Sequence, residues 1–215
     1  MNDYNRDGQL DVFVVCHGWD KRPYPGERNK IVLSQPDGSY AIRDAANDVG
    51  FFHSGASADF NGDGNPDVIV TNNFDERPVR VWLGDGKGGF RVTTKTVPSE
   101  LKKRGDFFTV ELPDVDGDGR FDLFVGGHEF GNSAPTKVFL NKAKRGFRAG
   151  KSITVPAVKG EGVVLDAVAT GVASGRQLWV LRTSGGDGSF YKGYCIQAFD
   201  LETSTSRISR CNKIL

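Results

Sequence analysis

Residues 59–70 read DFNGDGNPDVIV, three Asp and two Asn within nine positions, running straight into an apolar strand. Carboxylates crowded this closely repel one another unless a cation lies between them. The device recurs as DYNRDGQLDVFVV from Asp3 and DVDGDGRFDLFVG from Asp114, so the starts at 3, 59 and 114 are spaced by 56 and 55 residues. A further step of 56 lands on Thr170, in TGVASGRQLWVLR, where Gly175 and the strand LWVL keep register but every carboxylate has gone. Thr170, Val172, Ser174 and Leu178 stand at the acidic places of this fourth, degenerate copy. One loop chemistry returning at a fixed period marks a repeat architecture.

Each period reads as four strands. In the second, SGASADF is a small-residue strand entering the acidic loop, and DVIVT is a continuous apolar run suited to a strand buried on both faces. VRVWLG and FRVTT then form a hairpin through GDGKGG, and the same hairpin returns as IVLSQPDGSYAI and VFLNKAKRGFRA, each reaching an aromatic residue (Tyr40, Phe90, Phe147). A unit of about 50 residues cannot bury both faces of its own sheet, whereas radial stacking on neighbours can. The expected fold is all-β, a segment of β-propeller with repeats at about 1–50, 51–105, 106–160 and 161–215. A β-sandwich would not repeat one loop chemistry at a fixed period. The 28 Gly in 215 residues agree with a turn-rich β protein. No strand precedes Asp3 as HSGASA precedes Asp59 and FFTVEL precedes Asp114, so the first repeat is expected to lack its innermost strand and the chain to be part of a larger propeller.

The loop pattern is D-x-[DN]-x-D-G-x-x-D. Oxygens at places one, three and five, a Gly at six, a carbonyl at seven and a carboxylate at nine match the first part of an EF-hand loop and suit Ca²⁺. The EF-hand's Glu at place twelve is missing, since Val14, Val70 and Val125 stand there within strands. About three Ca²⁺ sites follow. Their expected ligands are Asp3, Asn5, Asp7, Gln9 (carbonyl) and Asp11; Asp59, Asn61, Asp63, Asn65 (carbonyl) and Asp67; and Asp114, Asp116, Asp118, Arg120 (carbonyl) and Asp122. PDGS, GDGKGG and GGDGS also contain Asp-Gly but lack the spacing, and read as hairpin turns.

The loops DYNRDGQLD, DFNGDGNPD and DVDGDGRFD, each followed by an apolar strand and then a VWLGDGKGGF-type hairpin, resemble the FG-GAP/VCBS repeats of bacterial surface proteins and integrin α-subunit propellers. The resemblance covers nearly the whole chain. It implies a calcium-stabilised propeller, usually of seven blades, exported and used for adhesion or carbohydrate recognition. Some relatives carry the repeats beside an enzyme domain, and certain polysaccharide lyases are themselves propellers.

Chain direction sends the acidic loops to one end of the strands and another set of loops to the opposite end. Six residues beyond each motif's last Asp come His17, Asn73 and His128, with Ser184 in the fourth copy, while His53 lies six residues before Asp59. These residues are expected to share a rim with Trp19, Asp20, Tyr24, Phe74, Asp75, Glu129 and Tyr191, as a ligand surface or as polar caps on strands. No G-x-S-x-G, H-E-x-x-H or Cys/His zinc spacing points to catalysis. A non-catalytic recognition role for a carbohydrate or protein ligand leads, with a carbohydrate-active enzyme using the histidine rim as the alternative.

A net charge of +1 supplies no overall field for nucleic acid, and no run of 18 apolar residues exists for membrane insertion. No secretory signal follows Met1, but loops of three carboxylates suit millimolar calcium, so a secreted or cell-surface location is expected. Cys195 and Cys211 are placed either to bridge across a hairpin or to remain reduced. Cys16 reads as a small core residue.

Overall fold

The computed structural model of the chain describes residues 1–73, 76–103, 105–130, 134–142, 146–147, 150–172, 175–185 and 190–212, with backbone alone at 172 and 209–212. Their strands are β1 (Val12–Val14), β2 (Glu27–Ser34), β3 (Tyr40–Ala58), β4 (Asp67–Asn73), β5 (Val79–Gly84), β6 (Phe90–Thr93), β7 (Phe107–Glu111), β8 (Leu123–Gly127), β9 (Lys137–Phe139), β10 (Ser152–Thr154), β11 (Val163–Val172), β12 (Gly175–Thr183), β13 (Tyr194–Asp200) and β14 (Ser206–Asn212). All pair antiparallel with their neighbours in sequence, in three hydrogen-bonded sheets, β1 to β6, β7 to β10 and β11 to β14.

The six-stranded sheet is two units sharing one strand. The 19-residue β3 pairs with β2 through its first half, up to Gly50 opposite Glu27, and with β4 through its second half, from Phe51 opposite Asn73. Among the described residues the strands therefore make one three-stranded unit and three four-stranded ones. In the first unit β1 pairs with β2 on one side and is the terminal strand of its sheet.

Successive residues of a strand point to opposite faces, and here both faces are used. Directly opposed pairs form two rows per unit, one facing the unit before and one the unit after. The backward rows are Val68–Trp82, Leu123–Phe139 and Leu178–Phe199. The forward rows are Phe13–Ile31, Ile69–Val81 and Phe124–Val138. Forward and backward rows meet in three seams. Phe13 and Ile31 pack with Val68, Val70 and Trp82. Ile69 and Val81 pack with Leu123, Val125 and Phe139. Phe124 and Val138 pack with Leu178, Val180 and Phe199. All seven residues of β4 are buried for this reason. Truncating a side chain such as Ile69 in a seam costs about 2–5 kcal/mol.

These rows set the register of the fourth unit. Leu178 opposes Phe199 as Leu123 opposes Phe139, so the last period is 55 residues and Gln177 takes the place of Asp122. The step of 56 is one residue too long. The fourth unit also has no nine-residue loop: β11 and β12 pair out to Val172 opposite Gly175, leaving two residues between them. With no carboxylates to hold apart, the backbone continues its ladder through the place where the other units open. Thr170 and Leu178 lie in these strands, and Ser174 lies outside the described residues. Cys195 is buried, and the neighbouring Tyr194 pairs with Asn212. The side chain of Cys211, and with it the question of a bridge, lies outside the described residues. Cys16, expected in the core, is only half-buried.

Candidate metal centres and an aromatic rim

The three acidic loops fold alike. At place one, Oδ1 of Asp3, Asp59 and Asp114 accepts the amide of Asp7, Asp63 and Asp118 respectively, each at 3.1 Å. Their Oδ2 atoms accept the amides of Gly8, Gly64 and Gly119 at 2.9, 2.8 and 3.0 Å. Those glycines have φ of +86°, +84° and +81°, a left-handed turn that a β-carbon disfavours, which explains the Gly at place six. At place three, Asn5, Asn61 and Asp116 each offer a side-chain oxygen to the amide at place five, at 3.1, 2.8 and 3.3 Å. The amides of Gln9, Asn65 and Arg120 close the turn on Oδ1 of Asp7, Asp63 and Asp118, at 2.8, 2.8 and 3.0 Å. The side chain at place two (Tyr4, Phe60 or Val115) is buried and anchors each loop to the core.

The ninth-place Asp does more than the sequence pattern suggested. Asp11, Asp67 and Asp122 are fully buried at the start of the second strand. Their Oδ1 atoms accept the amides of Ser34, Gly84 and Asn141 at 3.0, 3.0 and 2.8 Å, tying each loop to the end of the third strand of its unit. Oδ2 of Asp11 accepts the Tyr4 amide and that of Asp122 the Val115 amide, both at 2.9 Å. Oδ2 of Asp67 is buried without a hydrogen-bond partner. Burial, with the charges of Asp63 and Asp59 adding to it, pushes this carboxyl up to about 7 against the pull of the Gly84 amide. The Asn61 amide pulls more weakly, acting on the carboxyl without reaching hydrogen-bond geometry at Oδ2. Burial likewise raises Asp122, with Asp116 and Asp114 adding to it. Ser34, Gly84 and Asn141 carried no motif of their own; only their shared place at the end of the third strand could have marked them.

In the third loop Asp114, Asp116 and Asp122 bring carboxylate oxygens within 4.8 Å of one another, a group that could hold a metal ion. Asp118, expected as a fourth ligand, is ion-paired with the Arg120 guanidinium, whose Nε also donates to the Asn141 carbonyl at 3.2 Å. In the first two loops the Asn amides donate to the fifth-place carboxylates, Asn5 to Asp7 at 2.9 Å and Asn61 to Asp63 at 3.0 Å. The loops are also joined to one another. Arg6 of the first donates to the Gly64 carbonyl of the second at 2.8 Å, and Asn141 reaches the Phe60 carbonyl at 3.0 Å.

At the other end of the strands the three histidines meet through rings. His17 lies 5.9 Å from His53, His53 lies 4.3 Å from Phe108, and Phe108 lies 4.3 Å from His128. The stack continues from His128 to Phe130 at 5.0 Å, to Phe190 at 5.4 Å and to Tyr191 at 6.2 Å. Tyr24 joins it through Phe51, 5.4 Å away, which lies 5.1 Å from both His17 and His53. One ladder of rings thus crosses all four units. The phenylalanines were not anticipated, although the 55-residue period places Phe108 at the equivalent of His53, and FFHSG and FFTVE show it. Burial holds His53 down to about 4, with His17 contributing, and burial also lowers His128, whose Nε2 is buried without a partner.

The remaining rim residues part company. Glu129 turns inward, accepting Arg182 Nη1 at 2.6 Å and the Thr136 hydroxyl, so it serves the seam between the third and fourth units. Asn73 is buried at the end of β4. Trp19 stands exposed beneath the Lys21 ammonium, 5.6 Å from the ring centroid. Asp20 is exposed, and the Ser184 hydroxyl accepts the Lys192 amide at 2.8 Å. Phe74 and Asp75 lie outside the described residues.

Residues 3–70 and 59–125 match, as overlapping windows, the family described as the FG-GAP-like repeat. No curated protein is a significant match to the chain.

Proposed function

Since the chain belongs to the FG-GAP-like repeat family, we propose that it is a segment of a calcium-stabilised β-propeller, displayed outside the cell for recognition or adhesion and not itself catalytic. The four units are blades stacked by their forward and backward rows. The observation that carries the reading is the buried, unpartnered Oδ2 of Asp67, on a carboxyl that the charges of Asp63 and Asp59 act upon. A buried carboxylate oxygen without a donor is costly unless a cation satisfies it. Oxygens on opposite sides of a calcium ion, at about 2.3–2.6 Å each, lie about 5 Å apart. The 4.8 Å grouping of Asp114, Asp116 and Asp122 fits that span.

Asp3, Asn5, Asp7 and Asp11, Asp59, Asn61, Asp63 and Asp67, and Asp114, Asp116 and Asp122 would hold the ions, with the carbonyls of Gln9, Asn65 and Arg120. Each ion would supply positive charge against mutual carboxylate repulsion. The chain's own contribution is orientation. Backbone amides fix the first-, third- and fifth-place oxygens, and the ninth-place Asp connects the cage to the third strand, so loading stiffens a whole unit. Chelation should lower the melting temperature strongly, and titration calorimetry should count about three calcium ions per chain. An unchanged melting curve in EDTA would remove the basis of the reading.

The ligand would meet the opposite rim, where His17, Trp19, His53, His128 and Tyr191 present rings and imidazoles to a carbohydrate or a protein surface. Binding on a glycan array without turnover supports recognition. A second reading, a carbohydrate-active enzyme, draws on the uncharged state in which burial keeps His53 at neutral pH, since a neutral imidazole can accept a proton. Turnover of an acidic polysaccharide, lost with His17→Ala or His128→Ala, would favour that reading over the first.

A further inference from the structure

The grooves between neighbouring acidic loops are not filled alike. Between the first and second loops lies the Arg6 guanidinium, donating to the Gly64 carbonyl at 2.8 Å, and a β-carbon on Gly64 would stand 2.9 Å from its Nη2. Against the third loop lies Arg176 of the fourth unit, whose guanidinium takes the space that a β-carbon on Gly117 would need. Between the second and third loops there is a hollow of about 240 Å³, lined by Asp59, Asn61, Gly62, Gly119, Phe121 and Asn141 together with Arg120. β-Carbons on Gly62 and Gly119 would meet nothing within 4 Å.

Register explains the opening. Arg6 holds the fourth place of its loop, and the fourth place of the second loop is Gly62. Arg176 precedes Gln177, the equivalent of Asp122, so Phe121 stands where Arg176 stands in the fourth unit. Both positions that supply a guanidinium elsewhere lack one here, while the acceptors for it remain. Gly119, equivalent to the Gly64 that accepts Arg6, lines the hollow, and the Asp59 carboxyl lies beside it. Asn141, in the same wall, is 2% exposed. Its Nδ2 is committed to the carbonyls of Phe60 and Phe121, and its Oδ1 is buried without a partner. Arg120 is turned away, paired with Asp118 and donating through Nε to the Asn141 carbonyl. The Phe121 ring is 44% exposed and offers a face on which a guanidinium stacks.

We propose that this groove takes the arginine side chain of a partner protein, in the place that Arg6 and Arg176 fill beside the neighbouring loops. In both of those places the occupant is a guanidinium reaching in on a flexible stem from another unit, which makes a protein side chain the occupant that fits. The planar fork can donate to the Gly119 carbonyl while stacking on Phe121, a combination that the compact ammonium of lysine does not match. The groove lies at the acidic-loop end, opposite the histidine rim, and so does not depend on what the rim binds. It borders the second cage, and calcium is therefore kept present in the test. A chain that melts lower in EDTA yet binds no arginine would keep its cages and lose the docking.

The test titrates a short neutral peptide carrying a single arginine into the whole chain with calcium, followed by amide nitrogen–proton NMR spectra. Saturable shifts are expected at Gly62, Gly119 and the Asn141 side-chain amide. The same peptide with citrulline, which keeps the shape and loses the charge, should bind at least about tenfold more weakly, the loss of a charge-assisted hydrogen bond. Gly62→Arg copies Arg6, whose φ of +62° is close to the +75° of Gly62, and should fill the groove and abolish binding. Phe121→Arg, copying Arg176, should block it independently, and circular dichroism should show both variants folded. Arg6→Ala should open the first groove and raise the number of peptides bound from one to two. Wild-type chain without saturable shifts at these amides would overturn the proposal, as would equal affinity for the citrulline peptide. Guanidinium ion binding as tightly as the peptide would overturn the assignment to a protein side chain. Acetate saturating the same amides where the arginine peptide does not would show an anion site built on Arg120 and overturn it too.

Discussion

Replacing Asp67 by Asn should stabilise the protein without calcium and destabilise it with calcium. The side chain is fully buried, and its carboxyl is pushed from 3.8 up to about 7. At pH 8, above both values, the charge therefore costs up to about 4 kcal/mol, at 1.36 kcal/mol per unit. An amide avoids that cost but makes a weaker hydrogen bond to Gly84, losing about 1 kcal/mol, and places an NH2 where Oδ2 has no partner, losing about 1–2 kcal/mol more. The net gain in EDTA is about 1–2 kcal/mol, or several degrees of melting temperature at 2–4 °C per kcal/mol for a chain of this size. With calcium at about 100 times its dissociation constant each site contributes about 2.7 kcal/mol. The variant forgoes that and ends about 1 kcal/mol below wild type. Differential scanning fluorimetry in EDTA and in calcium should thus show the two proteins exchanging order. A variant less stable than wild type in EDTA, or one with an undiminished calcium response, would refute the argument that the orphaned oxygen waits for a cation.

Three further outcomes follow from neighbouring contacts. Arg120→Ala frees the outer oxygen of Asp118 and removes a positive charge from the third loop, so calcium affinity there should rise by up to about fivefold in calorimetry, the worth of an exposed ion pair. Arg182 and Glu129 form an ion pair with side chains 0% and 5% exposed, and removing the arginine alone should cost about 3–5 kcal/mol in denaturant unfolding. The Arg182→Met, Glu129→Gln double variant should recover much of that loss. His53, with its value lowered from 6.5 to about 4, takes up its proton in the unfolded chain before the folded one. Its contribution is therefore complete above pH 6.5 and lost as pH falls toward 4. At pH 5 the loss is at most about 2 kcal/mol, nearer 1 for a partly exposed ring. His53→Phe, copying Phe108, should abolish this share. Glu111, raised from 4.5 to about 7 by burial and Asp166, works the other way, giving stability at low pH that fades as pH rises through 7, so the variant is best compared with wild type at the same pH.

The strands were readable because the two burial rows of each unit leave continuous apolar runs, DVIVT and LFVGG among them, flanked by loops of one spacing. The fourth unit was harder. Once its carboxylates had gone, alignment rested on Gly175 and an apolar run, and an apolar run slips by one residue without penalty in composition. The difference lies in which face each side chain takes, and that is settled by partners such as Phe199, far away in sequence, opposite Leu178. The shared strand β3 was hidden for a similar reason. A strand that leaves one sheet and enters the next needs no turn residues, so Gly50 and Phe51 carry no punctuation where the pairing partner changes from β2 to β4.

The two candidate sites differ in legibility for a physical reason. A cage made within nine residues shows its donors in order, because the backbone alone brings them together. Its tie to Ser34, Gly84 or Asn141 crosses 17 to 23 residues and uses main-chain amides, which any residue type but proline supplies and no motif can display. The rim is assembled entirely across units. Its histidines drew notice as rare residues at equivalent places, but the phenylalanines between them look like any core aromatic until the strand ends align. Glu129 shows the converse: placed beside His128 in sequence, it points to the opposite side of the backbone, where Arg182 of the next unit neutralises it. Equivalent position in a repeat therefore locates a residue along the axis of its unit, and the neighbouring unit decides whether its side chain faces ligand or seam.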